Sequence, residues 1–581
     1  MTSPFGQSRP THTSTINRLF SFIETRKPID RFLIKGALLL TVISLGFVLW
    51  NLNASRLVEV PHRGGTLTEA IIGTPRFINP LLAVTPADKD AAALIYAGLM
   101  RLGADGVLVN DMAESITMSE DGLTYSVVLK SGLTFHDGTP VTSDDVIFTI
   151  TRLEDPALKS PLLSSWEGVT MERVSDRELN MVLERPYAPF IENLTLGILP
   201  KHIWEEASPD AFPFSQYNSE PIGSGPYKVE RIIRSKSGIP ESYLLTPFTD
   251  TTTNTPRIEH IKLVFYSNET ALIEDWKKGT ISSVAGLSPE ATDMLGDIAT
   301  THHVLRAPLP RTFAVFMNQN EAPVFRDKAV REALSLITDR APIVDEVLGG
   351  NGYAITGPLP PHHSATTTIE SPSQATLDRA RDVLRDDGWK FDEASNRWKK
   401  NIADVETVLA FRLATANTPA LEQTAEALKR EWEAIGVAVT VEKYEQVDLT
   451  QSIIRPRKFD ALLFGTVIGR ELDFYPFWHS SQRNDPGLNI ALYANISTDS
   501  ILADARTTHS YQERMEKNNA FAAELARDIP AIFLYAPSFT YIIPKEVHSI
   551  SIAGIAEPYE RFSSIRDWYI DTESVWPFFK N

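Results

Sequence analysis

Residues 61–86 read PHRGGTLTEAIIGTPRFINPLLAVTP, residues 96–101 read YAGLMR, and residues 120–152 read EDGLTYSVVLKSGLTFHDGTPVTSDDVIFTITR. Leu123–Leu129 alternates apolar and polar side chains, the period of a strand with one buried face, and Ser131-Gly132 ends it. Thr142–Arg152 is predicted to be a helix, with Thr142 or Ser143 as N-cap and Asp144 and Asp145 in its positive first turn. His136-Asp137-Gly138-Thr139-Pro140 joins the two as a turn in which Gly138 supplies a left-handed conformation. Asp137 beside His136 therefore reads as turn chemistry and not as an acid–base dyad. Asn79-Pro80-Leu81 is a second turn.

Outward from this stretch, 581 residues exceed one hydrophobic core and predict three or four lobes. A hydrophobic share of 43% and a charged share of 22% are those of a folded globular chain. The net charge of −18 repels phosphate backbones and acidic lipid surfaces, which argues against nucleic acid as a partner. The chain has no cysteine, so thiol nucleophiles, disulfides, thiolate metal sites and a lipid-bearing cysteine all fall away.

Gly36–Trp50 (GALLLTVISLGFVLW) carries no charge, and Phe32-Leu33-Ile34 extends it across a snorkelling Lys35. The resulting span, residues 32–52, is long enough to cross a bilayer. Arg9, Arg18, Arg26, Lys27, Arg31 and Lys35 precede or open it against Glu24 and Asp30, which places residues 1–31 in the cytoplasm and the rest outside. A cleaved signal peptide is the competing reading, with Asn53-Ala54-Ser55 as its small-residue site. The long hydrophilic leader and Trp50 favour a retained anchor. Residues 53–63 then form a linker.

Beyond Gly64, helix and strand signals alternate, as in mixed α/β lobes. Pro221-Ile-Gly-Ser-Gly-Pro-Tyr-Lys228 is followed by a strand and not by Gly-Lys-Ser/Thr and a helix, so it is no phosphate loop. His260–Tyr266 and Arg311–Gln319 read as strands. Lys328–Asp339 reads as an amphipathic helix with Val330, Ala333, Leu334 and Ile337 on one face. Leu421, Ala425, Leu428, Trp432 and Ile435 form a helical core stripe closed by Gly436. No G-x-S-x-G, HExxH or P-loop is present, which argues against an enzyme.

The order Asn79-Pro80-Leu81, Tyr96–Leu99, Ser119–Tyr125, Phe135–Thr142 and then Pro221–Lys228 resembles the bacterial extracellular solute-binding proteins of family 5, the oligopeptide and dipeptide binders of ABC transporters. The resemblance covers nearly all of residues 64–541. It implies an α/β periplasmic-binding-protein-like fold of type II (cluster C): two lobes with a hinge and an extra inserted domain, preceded here by one transmembrane helix. On that pattern, lobe I comprises residues 64–103, 217–310 and 542–581, the insert residues 104–216, and lobe II residues 311–541. It further implies a monomeric subunit, here anchored by the apolar N-terminal span, that takes a peptide ligand, uses no cofactor, and delivers to an ABC permease with separate ATPase subunits.

A peptide binder indifferent to side chains grips the ammonium, the carboxylate and the amide ladder. The stretch Gly465–Trp478 lies where relatives carry an aspartate for the peptide amine, and Asp473 matches best; a helix cap is the bland alternative. Arg470 is a candidate for the peptide carboxylate, or else a structural ion pair. Phe474, Tyr475 and Trp478 are candidate pocket walls or core. Phe77, Asn79 and Asn318 complete the cleft candidates. His302-His303 and His362-His363 are adjacent pairs that on a strand point apart, so no metal site is expected. The same fold with an oligosaccharide, opine or metal chelate, or a receptor or chaperone without transport, are the alternative readings.

Overall fold

The computed structural model describes residue 25, residues 27–249, 255–361, residue 369 and residues 371–579, arranged as two bodies: Met1–His62 with Thr572–Asn581, and Arg63–Asp571. In the first body, Pro28 opens a 27-residue helix that runs to Ala54. Pro at the first helical position forfeits no hydrogen bond, and the apolar run behind it has no polar face. Leu39, Val42, Phe47 and Trp50 all stand exposed around it. The helix is long and apolar enough to cross a membrane, with its charged residues Asp30, Arg31 and Lys35 confined to its first turns. It begins earlier and ends later than residues 32–52. Arg9, Arg18 and Arg26 lie outside the described residues.

Residues 53–63 are not all linker. Val58–Pro61 is a strand, antiparallel to Thr572–Val575, with Val58 opposite Val575 and Pro61 opposite Thr572. The last strand of the sequence thus joins the first body, a pairing that the alternation of neither four-residue segment reveals.

The second body is organised on a 12-stranded sheet. One half runs Ala438–Tyr444, Ala410–Ala416, Ala461–Val467 and Arg311–Met317; the other runs Ser283–Ala285, Gly64–Ile72, Ile258–Tyr266, Pro240–Pro247 and Tyr227–Arg234. The 14-residue strand Ala531–Pro544 belongs to both. Alternate residues of Arg311–Met317 feed opposite cores: Val315 and Met317 pack with Leu334, Leu428 and Trp432, whereas Ala314 and Phe316 pack with Trp478, Phe521 and Phe533. That half is therefore buried on both faces, as α/β sheets are. A separate four-stranded sheet, Ala113–Met118, Thr124–Leu129, Glu178–Leu183 and Val169–Arg173, lies within residues 104–216.

The opening stretch folds as its chemistry predicts. Thr142 and Asp145 form a reciprocal cap on the helix Ser143–Leu153. Gly138 has φ +88°, and Asp137 accepts the Thr139 amide at 3.0 Å. The His136 ring accepts the Gly223 amide at 3.3 Å, and its own amide donates to the Gly223 carbonyl at 2.8 Å. Burial holds His136 down to a pKa of about 4, so the neutral ring keeps that acceptor. A Cβ on Gly223 would fall 2.1 Å from the Ile95 carbonyl oxygen. The two sequence signatures are thus one joint, closed tightly against the end of helix Pro86–Ile95.

The segment after the long strand is pinned by Arg561, which donates to Glu69 at 2.9 Å and to Asp90 at 2.7 Å, all three buried. The Tyr541 hydroxyl donates to the same Glu69 at 2.9 Å, and Ser283 adds a further short bond. Burial pushes the Glu69 carboxyl up while Arg561 opposes it.

Candidate functional site

The two halves of the sheet meet where His302–Pro308 and Arg311–Met317 are separated by Leu309 and Pro310. Alongside, the Leu309 amide donates to the Pro537 carbonyl at 3.2 Å. Prolines 308, 310 and 537 bring no amide hydrogen to this crossing, where the long strand pairs instead with Gly352–Ala354. A cavity of about 700 Å³ opens beside it. One wall comes from the insert (Ile116, Met118, Tyr125, Ile191), another from Pro308 and Pro310, and the far side from Arg470, Glu471, His509, Tyr511 and Arg514.

The charged groups at this cavity are already matched. Arg514 bonds Glu471 and also donates to the Thr508 and His509 carbonyls at 3.1 Å. Arg470 bonds Glu560 at 2.6 Å and the Gly554 carbonyl at 3.1 Å. The Glu471 amide donates to Glu192 of the insert at 2.5 Å. Burial raises Glu192 to a pKa of about 7 against the pull of Arg470. What is left facing the space is chiefly apolar: Met118, Val107, Leu108 and Ile116, with Met118 and Val107 well exposed.

A second cavity, about 430 Å³, lies along Phe464–Val467 with Phe477, Ile454 and Leu488. Strand Ala461–Val467 pairs with Arg311–Met317 along its whole length. On its other side it pairs with Ala410–Ala416 only at Ala461 and Leu462. Among the described residues, Phe464–Val467 thus keep one edge without a strand partner, and that edge opens on the cavity. An extended chain laid there could complete the ladder.

Of the sequence-predicted residues, the structure gathers Asp473, Tyr475 and, beside them, Arg470, but it buries others. Asp473 accepts from Arg506 at 3.1 Å, from the Tyr187 hydroxyl at 3.2 Å and from the Tyr475 amide at 3.1 Å. Burial pushes this carboxyl up, and Arg506 draws it back down. The Arg506 guanidinium also stacks over Tyr475 at 4.5 Å and Tyr187 at 4.9 Å. A peptide ammonium would have to displace a guanidinium to reach Asp473. Phe474 packs on Phe521, and Trp478 on Phe316 and Phe533, so both belong to the core of their sheet half. Asn79 is fully buried and closes its own turn by accepting the Leu81 amide at 2.9 Å. Asn318 is likewise buried and caps the Asn320 amide at 3.0 Å. Phe77 is half-buried against the core of its own sheet half.

His302 lies over Trp276 at 4.8 Å, and His362 and His363 lie outside the described residues. Among the described residues, no group of three or more histidine, aspartate or glutamate side chains is placed to hold a metal ion. Sequence reasoning missed the insert wall. Its faint signal is the strand Ala113–Met118, whose Met118 is apolar yet exposed one step beyond Ile116, which packs against the core of that sheet half.

Two sheet halves crossed by shared strands, with a cavity at the crossing, define a hinged solute-binding protein of the periplasmic type II fold. The chain belongs to the bacterial extracellular solute-binding proteins, family 5, whose sequence pattern matches residues 107–486. It is 26% identical over 529 residues to the oligopeptide-binding protein AppA of Bacillus subtilis, across 90% of this chain and 94% of that one. The structure of AppA with a nonapeptide covers 88% of this chain and all of its own, at a TM-score of 0.65 and 24% identity. A probable D,D-dipeptide-binding protein of Escherichia coli, DdpA, is 23% identical over 493 residues, 81% of this chain and 89% of its own. HbpA2 of Haemophilus parasuis shares the fold at a TM-score of 0.73 and 19% identity, over 88% of this chain and all of its own.

Proposed function

We propose that this chain is the extracytoplasmic binding subunit of a peptide ABC importer, held at the membrane by helix Pro28–Ala54 with residues 1–31 in the cytoplasm. The observation that carries the reading is the cavity of about 700 Å³ at the strand crossing, walled by both sheet halves and the insert, with its charges paired internally. Its polar groups are satisfied without a ligand, so selection falls to shape, apolar contact and backbone bonding, as a peptide binder tolerant of side chains requires. The unpaired edge at Phe464–Val467 supplies the backbone ladder. Lobe I (residues 64–103 and 217–310, with residues returning from 542), the insert at 104–216 and lobe II at 311–541 close on the ligand and then dock on the permease as a monomer.

In this reading Asp473, Arg470, Glu471 and their partners Arg506, Glu560, Arg514, Tyr187 and Glu192 serve closure. Closing lets the ligand bind one state better than the other, which is the only way it can shift the population. The test is calorimetric titration of the purified chain with short unmodified peptides. Met118→Arg, which puts a charge on the exposed part of the apolar wall, is expected to abolish binding while the melting temperature holds. Undiminished affinity in that variant would remove the cavity from the function.

A further inference from the structure

The strand pair of the first body delivers a second segment to the point where the apolar helix ends. Val58 follows Ala54 by four residues, which limits their separation to about 14 Å even if fully extended. Val575 lies opposite Val58, and the register places Thr572 opposite Pro61, so the later strand runs toward the helix end. Next in sequence come Trp576, Pro577, Phe578, Phe579 and Lys580. Pro577–Phe579 turns in a short 3-10 helix, the Trp576 and Phe578 rings lie 6.1 Å apart, and Phe578 is 70% exposed. At the same end of the helix, Trp50 is 65% exposed and lies 6.1 Å from Phe47.

We propose that Trp576 and Phe578 form a second membrane contact, an aromatic pair that the strand pairing holds at the lipid headgroup layer beside the anchor helix. The inference rests on the reading of Pro28–Ala54 as a membrane anchor. A 27-residue helix is about 40 Å long, enough for the hydrocarbon core of about 30 Å and part of a headgroup layer. Its polar end, Asn51–Ala54, then sits among headgroups. Tryptophan and neighbouring aromatics are favoured at that depth. The contact gives the first body two attachments to the membrane instead of one.

Because the chain has no cysteine, one introduced thiol is unique. Full-length protein carrying Pro577→Cys, labelled with an environment-sensitive fluorophore, is reconstituted into phosphatidylcholine–phosphatidylglycerol vesicles containing spin-labelled lipid. Leu45→Cys in mid-helix is the reference. The Leu45 probe is expected to be quenched by labels deep in the acyl chain, and the Pro577 probe by labels near the headgroup. The latter quenching is expected to be lost when Trp576→Ser and Phe578→Ser are added. Deep quenching at Leu45 with none at Pro577 overturns this inference and leaves the anchor intact. No quenching at Leu45 overturns the anchor and the inference together. Quenching at Pro577 that survives loss of both aromatics, or that requires native membranes with their proteins, also overturns it.

Discussion

Glu192 makes the closing contact sensitive to pH. It accepts the Glu471 amide from across the cavity and is faced by Arg470, Glu471, Glu560 and Tyr559. Burial there raises its pKa from 4.5 to about 7. Opening the lobes returns it to water and to its ordinary value. A raised carboxyl pKa means that the closed state has this group's full support below about pH 4.5 and loses it as pH climbs to about 7. That rise corresponds to about 3 kcal/mol, an upper bound because the carboxyl keeps some exposure. Peptide affinity is therefore expected to fall by up to about a hundredfold between about pH 5 and about pH 8. Glu192→Gln keeps the acceptor oxygen and removes the proton. Isothermal titration of wild type and variant with one peptide across that range should show a steep dependence in the first and a shallow one in the second. An equal slope in both would refute the assignment of the titration to Glu192.

Asp473→Ala is expected to weaken free-amine and N-acetylated peptides alike, because the carboxylate holds Arg506 and Tyr187 and not the ligand amine; selective loss for free-amine peptides in a paired titration would restore the amine role. Arg561→Met leaves Glu69 and Asp90 buried together and should destabilise the fold by about 3–5 kcal/mol in chemical denaturation; a loss below about 1 kcal/mol would mean that the triad relaxes freely. His136 has a depressed pKa of about 4, so its contribution is complete above about pH 6.5 and lost as pH falls toward about 4. Melting curves of wild type should decline over that window and those of His136→Gln should not. Gly465→Ala would set a methyl 2.7 Å from the Phe313 ring, which stacks on Tyr535. It should cost about 1–3 kcal/mol of stability, read by denaturant titration.

The scaffold was legible wherever local chemistry is decisive. The Thr142 cap, the Gly138 turn and the 421–435 stripe each follow from spacing and side-chain type, and each stands where expected. The binding region was legible only in part. Gly465–Val467 and Phe477 do border a cavity, but Phe474 and Trp478, a few residues away, belong to the core. Aromatic residues in a loop carry the same composition whether they face a ligand or an opposing helix, and only packing against Phe521 and Phe533 decides it. The partners of Asp473 were hidden for a similar reason: Arg506 is 33 residues away and Tyr187 is 286 away, distances at which a sequence carries no pairing signal. The strand pairing of Val58–Pro61 with Thr572–Val575 is the extreme case, two four-residue segments at opposite ends of the sequence.

The central claim is that the cavity takes peptides. Native mass spectrometry of the full-length protein, released from detergent with whatever it has carried through purification, tests this without choosing a ligand in advance. A ladder of bound masses that fragment as short peptides of mixed sequence is expected, and so is its disappearance in Met118→Arg. A single bound sugar, opine or metal chelate in place of that ladder would contradict it.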